Sequence, residues 1–182
     1  MKFNLMTVLE VSHHNEYGEV LFKKYNLKNI LHSEGEEYIL KTLFTNDYTP
    51  IRAETNLPTF VVTSYYMGLD NRSSLSTSQS LTDIEDLETN GTGYTRQQVG
   101  KNSFQIIENS NGNYQANSPT IQFNCSGGTW TAKNIFLATS YSQLFTGPKK
   151  VISSVPLGST LVISNGETVS MRIGLALKTS ND

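Results

Sequence analysis

The chain has 182 residues, of which 14 are basic and 16 acidic, so only 16% carry charge. That size suits one domain with a substantial core, and the balanced charge shows none of the basic excess that marks nucleic-acid binding. Ser, Thr and Asn make up roughly a third of the chain, above ordinary usage, which favours turns and half-exposed strands over long helices.

At the amino end, Val8–Val11 and Val20–Phe22 are short apolar runs around the turn-formers Asn15 and Gly18, the pattern of a hairpin. No apolar h-region precedes Glu10, so the start does not read as a secretory signal. No window reaches the roughly 20 apolar residues needed to span a bilayer, so no membrane partner is expected. Ser33-Glu34-Gly35-Glu36 is a capping box, and Glu34, Glu36 and Glu37 suit the positive end of a helix dipole. Ile39, Leu40, Leu43 and Phe44 form one stripe, which predicts a helix over Glu34–Phe44 docked on a sheet. Asn46-Asp47-Tyr48-Thr49-Pro50 ends it, and Ile51–Pro58 reads as a loop.

Phe60–Leu69 carries bulky apolar residues on both faces and predicts a central strand covered on two sides, one of them by the helix. Asp70–Ser80 is polar and reads as a surface loop. Thr82-Asp83-Ile84-Glu85 is a second, weaker capping box, with Leu81, Ile84 and Leu87 as its apolar side. Gly91 and Gly93 flank Thr92 as a tight or left-handed turn requires.

The remaining chain is a series of strand candidates: Tyr94–Val99, Phe104–Ile107, Thr120–Cys125, Thr129–Ala132, Asn134–Thr139, Val151–Val155, Thr160–Ile163 and Thr168–Leu177. Their separators are Asn109–Asn113, Gly127-Gly128, Gly147-Pro148, Pro156–Gly158 and Asn165-Gly166, the last being the strongest hairpin signal. In Thr168–Leu177, Val169, Met171, Ile173, Leu175 and Leu177 alternate with polar or small residues, giving one buried face. Short strands at this spacing predict a mostly β protein built as an antiparallel sandwich or barrel. Residues 1–58 are expected to form an arm and a helix beside a β-sandwich of residues 59–182.

No catalytic, cofactor-binding or metal constellation emerges. His13 and His14 are adjacent and point apart, His32 is distant, and none has a zinc-spaced partner. Asp83, Glu85, Asp86 and Glu88 lack the calcium-loop pattern and read as a solvated helix face. Ser153, Ser154 and Ser159 form no nucleophile elbow, and Gly91-x-Gly93 lacks the third glycine of a dinucleotide site. Cys125, the single cysteine, shares strand parity with Ile121 and Phe123 and is expected inside. Most of the aromatics Tyr65, Tyr66, Tyr94, Phe104, Phe123, Trp130, Phe136 and Tyr141 fall in predicted strands and read as core rather than as a sugar platform.

Two segments resemble structural proteins of tailed bacteriophages. Asn26–Phe44 is similar to their pattern of Asn-Leu-Ile/Leu, Glu-Gly-Glu, then Leu and Phe. Tyr65-Tyr66-Met67-Gly68-Leu69, an acidic loop and Gly91-x-Gly93-Tyr94-x-Arg96-Gln97 are similar to "Tyr-x-Gly-Leu … Gly-Tyr-x-Arg" in the same proteins. The resemblance implies a jelly-roll-like antiparallel β-sandwich acting as a capsid cement or decoration protein, without catalytic residues. Such a protein binds the major capsid protein on the outside of the head lattice as a homo-oligomer, a trimer being favoured. It would reside in the virion, assembled in the host cytoplasm. The amino-terminal arm is the expected lattice contact, through added strand pairing. The alternative is a tail, neck or fibre component that binds a host surface glycan. In either role the loop from Asp70 to Asn90 is the expected exposed partner surface.

Overall fold

The computed structural model describes residues 3–44, 64–108, 114–139 and 150–179, with side chains described for 8–39, 64–108, 114–139 and 150–176. The expected loop at 51–58, the strand start at 60–63, the separators at 109–113 and 147–148, Tyr141, and the side chains of Leu40, Leu43 and Phe44 lie outside these residues.

The protein is mostly β, a sandwich of two antiparallel sheets. The first contains β1 (Phe3–His14), β2 (Val20–Lys28), β6 (Gln105–Glu108), β7 (Tyr114–Asn117), β8 (Ile121–Asn124) and β11 (Thr168–Thr179). Its order is β2-β1-β11-β7-β6, with β8 also paired to β11. The second runs β3-β10-β9-β4-β5, from β3 (Ile30–Leu31), β10 (Val151–Ser164), β9 (Thr129–Ala138), β4 (Ser64–Asp70) and β5 (Gln97–Gly100). Strand alternation turns Val11, Ile121, Phe123, Val169, Met171 and Ile173 inward from the first sheet. Met67, Leu69, Trp130, Ile135, Leu137, Val155 and Ile163 meet them from the second. Cys125 is in this core, as its parity with Phe123 requires.

The expected amino-terminal hairpin forms, but not as an arm. β1 pairs with β2 on one side and with β11 on the other, from Phe3↔Thr179 to His14↔Thr168. Residues 3–31 are therefore built into both sheets. A register shift between Val8 and Glu10 lets Val8 and Val11, three residues apart, both reach the core.

The carboxy-terminal strands are longer than their sequence separators suggest. Thr129–Ala132 and Asn134–Thr139 merge into β9. Val151–Val155 and Thr160–Ile163 merge into β10, although Pro156–Gly158 lies between them. Pro156 has no N–H to give, and the ladder slips there from Pro156↔Asn134 to Leu161↔Ala132. The bulge is tolerated because β3 covers only Ser153 and Ser154 on the opposite edge, so Pro156 breaks no bond on that side. Asn165-Gly166, with Gly166 at φ 87°, is not a hairpin: it carries the chain from β10 in one sheet to β11 in the other. The amide of Gly166 and the carbonyl of Glu167 bond to Cys125 instead. Tyr114–Asn117, unmarked by sequence, forms β7 because β6 and β11 supply partners.

Helix α1 spans Ser33–Phe44, one residue longer than expected. Ser33 is thus inside the helix, and its amide bonds to the Thr77 carbonyl. Within the described side chains the docking residue is Tyr38, buried in the core, with Ile39 only partly covered. Tyr38 meets Tyr65 edge-on, at 6.4 Å between ring centroids and 3.3 Å between hydroxyls. Gly35 permits the approach, because a Cβ there would run into the backbone of Ile152 on β10. Alanine at an exposed helix site gains about 1 kcal/mol over glycine. Gly35→Ala is expected to show the opposite sign and lose about 1–3 kcal/mol in urea unfolding, because backbone cannot rotate aside as a side chain can.

Candidate functional site

The segment after β4 does not stand off as a solvated loop. It folds back over the outer face of the second sheet, pinned by two buried ionic networks. The first is centred on Asp70 and Arg72, whose side chains are 0% and 1% exposed. Arg72 donates Nε to Asp70 Oδ1 at 3.0 Å and Nη2 to Asp70 Oδ2 at 2.9 Å, a bidentate pair. Its other donors reach Gln79 Oε1 at 2.8 Å and Ser154 Oγ at 2.7 Å. Asn134 Nδ2 donates to Asp70 Oδ1 and to the Arg72 carbonyl. Ser154 Oγ also lies 2.8 Å from His32 Nε2, so β4, β9, β10 and the residue before α1 meet in one network. Burial, reinforced by the nearby Arg72 charge, lowers the His32 pKa to about 4.

The second network joins Arg96 to Glu88 and Glu85. Arg96 Nη2 lies 2.7 Å from Glu88 Oε2 and 3.0 Å from Glu85 Oε1, and the guanidinium stacks 5.2 Å from the centre of the Phe136 ring. Phe136 forms a small apolar cluster on this outer face with Ala138, Val151 and two residues of helix α2 (Leu81–Glu85), Leu81 and Ile84. Helix α2 therefore packs on β9 and β10 from this outer face, while α1 meets β4 through Tyr38 and Tyr65, as the sequence suggested. The α2 cap differs from expectation. Ser80, not Thr82, is the N-cap, and Asp83, not Glu85, completes the capping box. The Ser80 hydroxyl and amide hold the Asp83 carboxyl below its usual range. Helix α1 is joined to α2 through Glu34, whose Oε2 accepts from the amides of Leu81 and Val151.

Of the four acidic residues read as a solvated face, only Asp83 and Asp86 fit that description. Glu88 is buried, and Glu85 is committed to Arg96. Gly93 has the left-handed φ of 77° expected of it, whereas Gly91 matters for space, since its Cα lies against the Trp130 ring. Trp130 donates to the Thr92 carbonyl at 3.0 Å, and Tyr94 packs edge-on against Trp130 and parallel to Phe123. The Tyr94 hydroxyl accepts from the Leu69 amide at 2.7 Å and lies 3.1 Å from Glu88 Oε1. Tyr65, Tyr94, Phe104, Phe123 and Trp130 are packed in or against the sandwich core. Ser153 and Ser154 are buried in β10, and Ser159 is exposed in its bulge.

The histidines lie in three environments. His13, next to last in β1, is buried and contacts Glu167 Oε2 at 2.9 Å. The Ser164 amide, with help from His13, holds the Glu167 carboxyl below the usual carboxylate range. His32 is fully buried. His14 faces out, with Nε2 2.8 Å from Ser12 Oγ and Nδ1 3.3 Å from the Gly18 carbonyl. Among the described residues no three His, Cys, Asp or Glu side chains are placed to hold a metal ion.

Ser12 and His14 border an open trough across β1, β11 and β8. Its larger part, about 410 Å³, is lined by His14, Asn15, Glu16, Gln122, Thr168 and Ser170 among others. A smaller part of about 120 Å³ continues through Ser170 to Glu10, Ser12, Thr120 and Arg172. The outward rows follow from the register: Glu10 beside Arg172, Ser12 beside Ser170 and His14 beside Thr168, with Gln122 and Asn124 next along. The Ser12–His14 contact has nucleophile-and-base geometry. However, Ser12 is nearly covered, and β1 is an interior strand whose amides are committed to β2 and β11. It offers no pair of free N–H groups to hold an oxyanion. The trough is thus equipped for binding rather than acyl transfer. Sequence reasoning missed it, although the polar parity of Glu10, Ser12 and His14 and of Thr168, Ser170 and Arg172 was legible. Only the register brings those rows together.

Comparison with protein families, with curated proteins and with solved structures gives no match.

Proposed function

We propose that the protein is a non-enzymatic virion component of a tailed bacteriophage, a jelly-roll-like cement or decoration protein that binds the outer face of the head lattice. The observation that carries this reading is where the residues of the resemblance fall. Tyr94 ties the returning segment to Leu69, Arg96 locks Glu88 and Glu85, and Gly91 seats against Trp130. The motif is consumed in pinning a surface segment to a rigid sandwich, which suits a protein selected to bear load rather than to turn over a substrate. Ser73, Ser74, Ser76, Thr77 and Ser78 remain exposed on that segment and are available to a neighbouring capsid subunit.

The amino-terminal arm is withdrawn as the lattice contact, because β1 is interior to the first sheet. Deleting residues 1–25 would remove that strand and test folding instead. The informative experiment is sedimentation of the full chain with purified heads lacking it. Saturable binding at hundreds of copies per particle is expected of a cement protein. Failure to bind heads, or a stoichiometry of a dozen or fewer, would remove the cement reading and favour a neck or tail station.

A further inference from the structure

We propose that the trough across β1, β11 and β8 binds a neutral, hydroxyl-rich oligosaccharide. Its wall chemistry is the first argument. Thr168, Ser170 and Gln122 both donate and accept hydrogen bonds, as sugar hydroxyls do. They sit on a grid about 4.8 Å across strands and about 6.7 Å between alternate residues along them. The volume of the larger part, about 410 Å³, lies within the range of small-ligand sites.

The second argument is charge. Glu10 lies 2.9 Å from Lys23 and stands in register with Arg172, and Glu16 lines the larger part, so along the whole trough two carboxylates offset two cations and no net charge favours an anion or a cation. The third is order: Gln122 reaches Ser170, Thr168 donates to Asn124 at 2.9 Å, and His14 holds Ser12. These groups are set before a ligand arrives, which lowers the entropy cost of binding.

The fourth argument is the placement of two tyrosines. Tyr17, 81% exposed, follows Glu16 in the turn that borders the larger part, and Tyr25, 57% exposed, pairs with Glu10 with its ring 5.1 Å from the Lys23 ammonium; both rings stand outside the lining. The Tyr17 turn is rigid: Asn15 Oδ1 accepts from the amides of Tyr17 and Glu19, and the Asn15 carbonyl from Gly18. A tyrosine exposed beside a polar trough can lay its ring against the C–H face of a sugar ring.

The test is calorimetric titration of the full chain with defined gluco-, galacto-, manno- and N-acetylglucosamine oligomers, with uronate and sulfated oligomers alongside. A neutral series is expected to bind. Gln122→Ala and Tyr17→Ala, both at exposed positions, are each expected to weaken it about tenfold at an unchanged unfolding midpoint. Binding of none of the neutral series, binding of the acidic oligomers alone, or neutral binding that both variants leave intact overturns the proposal. Sedimentation with heads is read separately and bears only on the cement reading.

Discussion

Arg72→Ala is expected to destabilise the fold by about 3–5 kcal/mol, read as a lower midpoint in urea unfolding. Removing the guanidinium leaves the fully buried Asp70 carboxylate with only the Arg72 amide and Asn134 as named donors. It also withdraws donors from Gln79 and Ser154, so the segment over the second sheet loses its tie to β10. Arg72→Lys should recover little, because an ammonium cannot make the bidentate contact or reach the other two acceptors from one planar group. The double change Asp70→Asn with Arg72→Met should recover more, since the dominant cost is an unpaired buried charge. An Arg72→Ala variant within 1 kcal/mol of the parent would mean that the pair is not buried in solution.

Acid should weaken the fold through His32. The ring is fully buried, and burial together with Arg72 lowers its pKa to about 4, while the carbonyls of Gln79 and Ser76 and the charge of Asp70 oppose the shift. In the unfolded chain a histidine titrates near 6.5. Above that value both states are neutral at this site and its contribution is fully present. As pH falls from about 6.5 to about 4, the unfolded chain takes up a proton that the folded chain refuses. Stability then drops by about 1.4 kcal/mol per unit at most, about 3 kcal/mol in all, and levels off once the folded ring titrates. His32→Gln keeps a group able to bond Ser154 and should remove this slope. Unfolding free energies of the two proteins between pH 6.5 and 5 test it. The depressed carboxyls of Asp83 and Glu167 lose their contribution at lower pH, outside that window. Parallel curves for parent and variant would reject the assignment.

The two expectations share a location, which explains why the acidic stretch was misread. From sequence, Asp70–Ser80 and Asp83–Glu88 are polar runs, and polar runs are usually solvated. Arg72, Glu88 and Arg96 contradict that because each pairs with an opposite charge two to eleven residues away, on a segment that the fold lays over the second sheet and closes to water. Such a residue looks the same in a sequence whether its partner is present or water is.

Much was nevertheless determined locally. The parity of Ile121, Phe123 and Cys125 and the alternation of Val169, Met171 and Ile173 follow from side-chain geometry within one element, and those strands and helix α1 appear where expected. What the tertiary structure decided is pairing. Asn165-Gly166 specifies a reversal but not whether the next strand joins the same sheet or the facing one. Pro156 specifies a lost donor but not that the neighbouring edge is vacant at that point. The rows of the trough are each visible as polar positions, yet a one-residue slip in β1 or β11 would scatter them between core and solvent. Periodicity belongs to a residue and its near neighbours, whereas register and ion pairing are set by which strands the whole core brings together.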